Sequence, residues 1–143
     1  MFSSATAARR PKQFANAYRQ IGNETGVSGA TPHKLVLMLF DGYLDAIVQA
    51  RGALRSGQVP MKCKAITRAV RIVDEGLRGS LNLQSGGELA QDLHDLYGYL
   101  SMRLTLANVR NDEAGLEECQ RLVQPLREAW VAIGAQADGH APQ

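Results

Sequence analysis

The side chains that carry out chemistry in proteins are sparse in this sequence and form no established catalytic or metal-binding pattern. Its two cysteines, Cys63 and Cys119, fall on predicted apolar stripes, which is typical of small buried thiols in a reducing compartment. Carboxylates such as Asp41 and Asp45 lie on helix faces without a nucleophile or base in a recognisable motif. The histidines are too far apart in sequence for zinc-ligand spacing: His33, His94 and His140. We therefore predict no metal, no cofactor and no catalytic residue.

One histidine nevertheless lies in a string with a chemical precedent. His94 opens the string HDLYG, which resembles the HxLKG string of histidine phosphotransfer domains, themselves four-helix bundles. That chemistry needs an exposed imidazole, a cation one turn away to steady the phosphoryl group, and a small neighbour that admits the partner. Here Tyr97 stands in place of the lysine and Leu93 in place of the small residue. Phosphotransfer at His94 remains an alternative function, but Tyr97 would not supply the positive charge that the lysine provides.

The composition describes one globular domain with little net charge. The 143 residues suffice for one core, since 45% are hydrophobic and 21% are charged. A net charge of +2 is too small to indicate a nucleic-acid partner without a patterned basic patch. No apolar run approaches the roughly 18 residues of a membrane span, and the N-terminus lacks the apolar region of a secretory signal. We expect a soluble, cytoplasmic protein without membrane insertion.

The strongest helical signal runs from Thr31 to Leu54. Thr31 suits an N-cap, and Pro32 suits the first helical position, where its missing N–H would have had no partner. A stripe at three-four spacing predicts the core face: Val36, Phe40, Tyr43, Ile47, Ala50 and Leu54. A second apolar set lies off that stripe: Leu35, Leu39, Leu44 and Val48, together with Leu37. This surplus indicates either a central, surrounded helix or a binding surface for an apolar partner.

A second helix is predicted from about Pro60 to Leu77. Its core stripe is Cys63, Ile66, Val70, Val73 and Leu77. A basic row occupies another face of this helix: Lys64, Arg68, Arg71 and Arg78. A solvated face is the simplest interpretation of the row, and a surface for an anionic partner is the alternative.

Two further helices complete the predicted fold. The third runs from about Glu88 to Asn108 and is apolar on two sides, and the fourth follows a turn at Asn111 and ends near Ile133. Pro125 is expected to kink or split the fourth helix. Four long helices joined by short loops predict an all-α fold, an antiparallel up-and-down four-helix bundle with a short N-terminal helix or cap segment.

The predicted domain boundaries follow the helices. Residues 1–30 are expected to form a flexible N-terminal arm with a short amphipathic cap helix, residues 31–134 the bundle, and residues 135–143 a disordered tail. In the arm, Phe14, Tyr18 and Ile21 recur at spacings of four and three, which places them on one helix face. A helix of about two turns is marginal alone, so it must dock on the bundle to persist.

Several strings, taken in order, resemble the flagellin-specific export chaperones of bacterial flagellar type III secretion, the FliS family. They are Ala17-Tyr18, TPHKLVLMLFDG from Thr31 to Gly42, GGELAQDLHDLYGYL from Gly86 to Leu100, LTLANVRND from Leu104 to Asp112, and LREAW from Leu126 to Trp130. The resemblance extends from Phe14 to Ile133. Departures from the family pattern are Phe40 in place of a frequent tyrosine, Gly98 in place of a common acidic residue, and Pro125.

This resemblance implies a cytosolic chaperone that binds the C-terminal segment of flagellin, prevents premature polymerisation, and helps deliver it to a component of the export gate. The client would lie in apolar grooves, part of which the N-terminal segment can cover. We predict these client-binding residues: Leu35, Leu39, Leu44, Val48, Tyr97, Tyr99, Leu100 and Leu104. The predicted N-terminal cap residues are Phe14, Tyr18 and Ile21. The oligomeric state is left open, and a helical adaptor for another client remains an alternative.

Overall fold

Five helices make up the part of the chain that the computed structural model describes, residues 11–18 and 31–139. They are α1 (Pro11–Ala17), α2 (Pro32–Arg55), α3 (Val59–Arg71), α4 (Gly87–Arg110) and α5 (Glu113–Gly139). A π-helical turn (Ile72–Arg78) continues α3. No β-strand occurs within these described ranges.

The four long helices form a ring. Helix α2 packs on α3 and α5, and α4 packs on α5 and on α3 with its π-helical turn. Because the connections between consecutive helices are short, neighbouring helices run antiparallel. The predicted all-α, up-and-down four-helix bundle is therefore confirmed, with α1 packed against α4 and α5.

Helix α2 begins where the sequence predicts. The Thr31 hydroxyl accepts a hydrogen bond from the Lys34 N–H at 3.0 Å, which satisfies one of the free donors of the first turn. The predicted stripe is buried from Val36 to Ala50, whereas Leu54 is only partly buried. The Tyr43 hydroxyl donates a hydrogen bond to the Cys119 carbonyl oxygen at 2.9 Å, which ties the middle of α2 to α5.

The buried face of α3 is rotated from the predicted one. Cys63 and Val70 are only partly buried, whereas Lys62, Ala65 and Ala69 are buried, so the prediction for the first two was wrong. The rotation brings Lys62 into the interior, where it is only 3% exposed. Its Nζ donates hydrogen bonds to the Asn108 carbonyl oxygen at 2.9 Å and to the Asn111 side chain at 2.5 Å. It thereby satisfies acceptors at the C-terminal end of α4, a role that hydrophobic periodicity does not reveal.

The π-helical turn changes the register at the end of α3. The Gly79 N–H bonds to the Asp74 carbonyl oxygen, five residues back, at 3.0 Å. Val73 and Leu77 remain in the core across this change, as the sequence predicts.

Helix α5 runs without interruption through Pro125, so of the two predicted outcomes, a kink or a split, the split was wrong. The proline leaves the carbonyl group of Arg121, four residues earlier, without its helical donor. Because Pro125 and Arg121 are both exposed, water can hydrate that carbonyl group. The helix continues to Gly139, and the predicted boundary at residue 134 consequently falls inside it. Residues 140–143 lie outside the described ranges.

Candidate functional site

Half of the predicted client-binding residues belong to the core. Tyr97, Leu100 and Leu104 have no solvent-exposed surface, and Leu44 is only 9% exposed. On α4, the three residues Tyr97, Leu100 and Leu104 continue the three-four spacing that begins at Leu89, and this stripe faces the bundle interior. These four residues therefore do not line an open groove in this structure, and their role in client binding stays a prediction.

The other four predicted residues do not form one surface. Leu35 and Leu39 occupy the flank of α2 that faces α3, whereas Val48 lies on the opposite flank with Asp41, which pairs with Arg127 of α5 at 2.6 Å. Val48 is 56% exposed. The apolar surplus of α2 therefore divides between two sides of the helix.

Tyr99 is also separate from that flank. It is only partly buried, and its hydroxyl donates a 2.5 Å hydrogen bond to Glu118 of α5. The Arg103 Nε donates to the other oxygen of the same carboxylate at 2.9 Å, and both interactions lower the pKa of Glu118. Tyr99 thus contributes to the α4–α5 interface.

A groove with an apolar floor lies between α2 and α3. Its main part has a volume of about 700 Å³ and is lined by Leu39 from α2 and by Ile72 and Gly76 from the π-helical turn, with polar side chains along the rim. A smaller adjoining part of about 340 Å³ shares Lys64 and Arg68 with it. We call the two parts together the α2–α3 groove. Its lining from Met61 to Gly76 corresponds to about 22 Å of helix, or roughly four turns.

Two glycines permit the close helix contact at this groove. A Cβ added to Gly76 would lie 2.7 Å from a Leu39 methyl carbon, and one added to Gly42 would lie 3.3 Å from the Ile72 Cδ1. The space beside Gly42 is therefore taken by α3. Ile72 and Gly76 were absent from the predicted site, although a glycine inside an apolar helical pattern is a sequence signal for close packing.

The N-terminal helix α1 is docked on the bundle through Phe14 and through Tyr18, the residue that directly follows the helix. Phe14 is completely buried, and its ring centroid lies 4.9 Å from that of Trp130 and 6.4 Å from that of Phe40. The ring centroid of Tyr18 lies 5.5 Å from that of Trp130, and the Tyr18 hydroxyl donates a 2.6 Å hydrogen bond to the Tyr97 hydroxyl. The third predicted cap residue, Ile21, lies outside the described residues.

Beneath α1, Trp130 and His33 contact each other through two hydrogen-bonding pairs, and neither residue was in the predicted site. Trp130 donates an indole N–H hydrogen bond to the His33 carbonyl oxygen at 2.8 Å, and the His33 Nε2 lies 2.6 Å from the Trp130 carbonyl oxygen. The two rings are stacked at 4.9 Å. This pair joins the start of α2 to the C-terminal half of α5. Trp130 stands in the string LREAW, which was the available signal.

The two tyrosines at the contact between the N-terminal segment and the bundle, Tyr18 and Tyr97, stay protonated. Burial raises the pKa of Tyr18 well above its ordinary value, and the neighbouring Tyr97 raises it further. Burial likewise raises the pKa of Tyr97. The contact between α1 and the bundle is therefore a neutral hydrogen bond inside an aromatic cluster.

The structure does not support phosphotransfer at His94. Its Nε2 accepts a hydrogen bond from the Arg78 Nε at 3.3 Å, and its Nδ1 is buried. Neither ring nitrogen is available to a partner domain. Burial also raises the pKa of the Cys119 thiol to about 12, so this cysteine is not a reactive thiolate. The described residues contain no group of three potential metal ligands and no helix that could cross a membrane.

The family model described as Flagellar protein FliS matches residues 14–137. The chain belongs to the FliS family. The family resemblance inferred from the sequence strings is thereby confirmed, and the match runs from Phe14 in α1 into the last turn of α5.

Curated FliS relatives support the same assignment over most of their length. The flagellar secretion chaperone FliS of Salmonella typhimurium is 43% identical over 121 residues, covering 85% of this chain and 90% of the relative. That of Escherichia coli is 41% identical over 114 residues, with coverage of 80% and 84%. The flagellar secretion chaperone FliSB of Pseudomonas aeruginosa is 40% identical over 116 residues, with coverage of 81% and 91%. As a FliS protein, this chain is a flagellar export chaperone and not an enzyme.

Proposed function

We propose that this FliS protein binds the C-terminal segment of flagellin in the cytoplasm, keeps it from polymerising and assists its delivery to a component of the export gate. The observation that carries the proposal is the α2–α3 groove, which offers roughly four helical turns of length above an apolar floor. The choice of flagellin rests on the resemblance of the sequence strings to flagellin-specific chaperones.

The energetics of such a client favour an extended contact. A segment that folds on binding buries about 1,000–3,000 Å² and loses roughly 2–5 kcal/mol to ordering. The α2–α3 groove therefore supplies only one part of the contact. We place a second part where α1 now packs, because Phe40, Tyr97 and Trp130 lie beneath Phe14 and Tyr18. In this proposal α1 is a cap that the client displaces.

A polymerisation assay tests the proposed function. Monomeric flagellin is induced to polymerise, and filament growth is followed by light scattering with and without an equimolar amount of this chain. We expect growth to be suppressed, because flagellin bound through its C-terminal segment cannot add to a filament end. A flagellin that lacks this segment is the control for binding, and it should not form a complex with the chaperone. Unchanged growth, or a complex that forms equally well with truncated flagellin, would contradict the proposal.

A further inference from the structure

The α3 wall of the α2–α3 groove carries two cations that no carboxylate of the described residues neutralises. Lys64 and Arg68 line both parts of the groove. In the described part of the chain, neither has an acidic partner within 4.0 Å. The remaining members of the basic row differ in this respect: Arg71 pairs with Glu75 at 3.2 Å, and Arg78 lies 4.0 Å from Asp74.

The rest of the groove lining does not balance these two charges. The α2 wall contributes the neutral residues Leu39 and Gln49. Glu75 is the one carboxylate in the described lining, and its partner is Arg71. The groove therefore has an apolar floor, a neutral edge on α2, and a positive edge on α3 around Lys64 and Arg68.

We propose that the α2–α3 groove selects an amphipathic helix with acidic side chains along the edge that faces Lys64 and Arg68. Because these two residues are one helical turn apart, the matching acidic residues are three or four positions apart on the bound helix. The inference rests on the proposed function in that this helix belongs to the flagellin segment. It adds a charge requirement, which apolar burial alone does not impose.

The shape of the surface favours a helix over an anionic membrane. A membrane-binding surface projects its apolar side chains outward below a basic face. Here Leu39 and Ile72 are partly buried, packed against the core, and form the floor of a depression between two helices. A helix can enter that depression with its apolar stripe, which leaves the cations beside its flank.

Two designed peptides of about 15 residues, the length of four helical turns, test the charge requirement. They share one leucine stripe and differ only at two flanking positions one turn apart, which are glutamate in one peptide and glutamine in the other. Binding to the full chain is measured by fluorescence anisotropy. We expect the glutamate peptide to bind about tenfold more tightly at roughly 0.1 M salt, and the difference to disappear at roughly 1 M salt.

The variant Lys64→Glu with Arg68→Glu should reverse this preference. Its matched control is Lys34→Glu with Arg110→Glu, which makes the same change in net charge at exposed positions outside the groove and should retain the preference. Equal binding of the two peptides, or a preference that survives Lys64→Glu with Arg68→Glu, would overturn the proposal. Equal peptide binding combined with Lys64- and Arg68-dependent binding to phosphatidylglycerol vesicles would assign the cations to a membrane instead.

The flagellin segment is titrated in parallel. If that segment does not bind while the glutamate preference persists, the flagellin assignment fails and the charge requirement stands. If the segment binds with equal affinity to the wild type and to Lys64→Glu with Arg68→Glu, the charge requirement fails and the flagellin assignment stands.

Discussion

The double variant Leu39→Asp with Ile72→Asp should bind the flagellin C-terminal segment about 100-fold or more weakly than the wild type. Both side chains form the apolar floor of the α2–α3 groove, and the burial of one such side chain contributes about 1.5–3 kcal/mol. Two losses of this size correspond to at least two orders of magnitude in Kd. The dissociation constants are measured by calorimetry on variants whose helical content and unfolding transition are checked first.

A matched control carries the same two new charges at another surface. Met102 and Val109 are exposed on α4 and lie outside the groove lining, so Met102→Asp with Val109→Asp should bind like the wild type. Leu39 and Ile72 also contact the core, and a second variant therefore blocks the groove without altering its floor. Thr67 is exposed at the rim, and Thr67→Trp should weaken binding while leaving the unfolding transition unchanged. Wild-type affinity in both groove variants would show that the client binds elsewhere.

Deleting residues 1–22 should expose the aromatic surface beneath α1 without unfolding the bundle. The deletion removes Phe14 and Tyr18, which pack on Trp130, the single tryptophan of the chain. We expect a rise in binding of a hydrophobic dye, a red shift of tryptophan emission, and tighter binding of the flagellin segment. The free energy of unfolding should fall by roughly 3–5 kcal/mol, as for the loss of one large buried aromatic side chain. The deletion removes two buried aromatic residues, but the conformational entropy that is no longer lost in ordering the segment offsets the remaining loss of stability.

Deleting residues 1–10 alone is the matched control, because it leaves α1 in place. That shorter deletion should change neither dye binding nor tryptophan emission. If the deletion of residues 1–22 gives unchanged dye binding and unchanged client affinity, α1 is a structural part of the bundle and not a cap.

Hydrophobic periodicity predicts the fold of this chain well because each long helix must bury a stripe. The stripe of α2 is correct from Val36 to Ala50, and Thr31 caps the helix as its residue type predicts. The stripe of α3 fails at Cys63 because the buried face there runs through Lys62. A lysine enters the interior only when its amino group finds acceptors, and those lie on α4, far away in sequence. The π-helical turn shifts the register further and has no clear sequence signal.

The candidate site was less predictable, because periodicity does not distinguish the core from an apolar groove. Leu100 and Leu104 share the interior stripe of α4, yet the same residue types would also suit a client surface. Leu39 is a groove residue because Gly76 of the π-helical turn lets α3 approach it closely. That contact joins residues that are far apart in sequence. Likewise, Phe14 and Tyr18 are predictable as an amphipathic pair, but their docking on Trp130 depends on the tertiary fold.

The measurement that tests the central proposal most directly is calorimetric titration of the unaltered chain with a peptide of the flagellin C-terminal segment, repeated at several temperatures. We predict a one-to-one complex with a negative heat-capacity change, since apolar surface is buried as the segment folds. The absence of binding by the folded chain, or a complex without a heat-capacity change, would contradict an apolar groove that holds the flagellin segment.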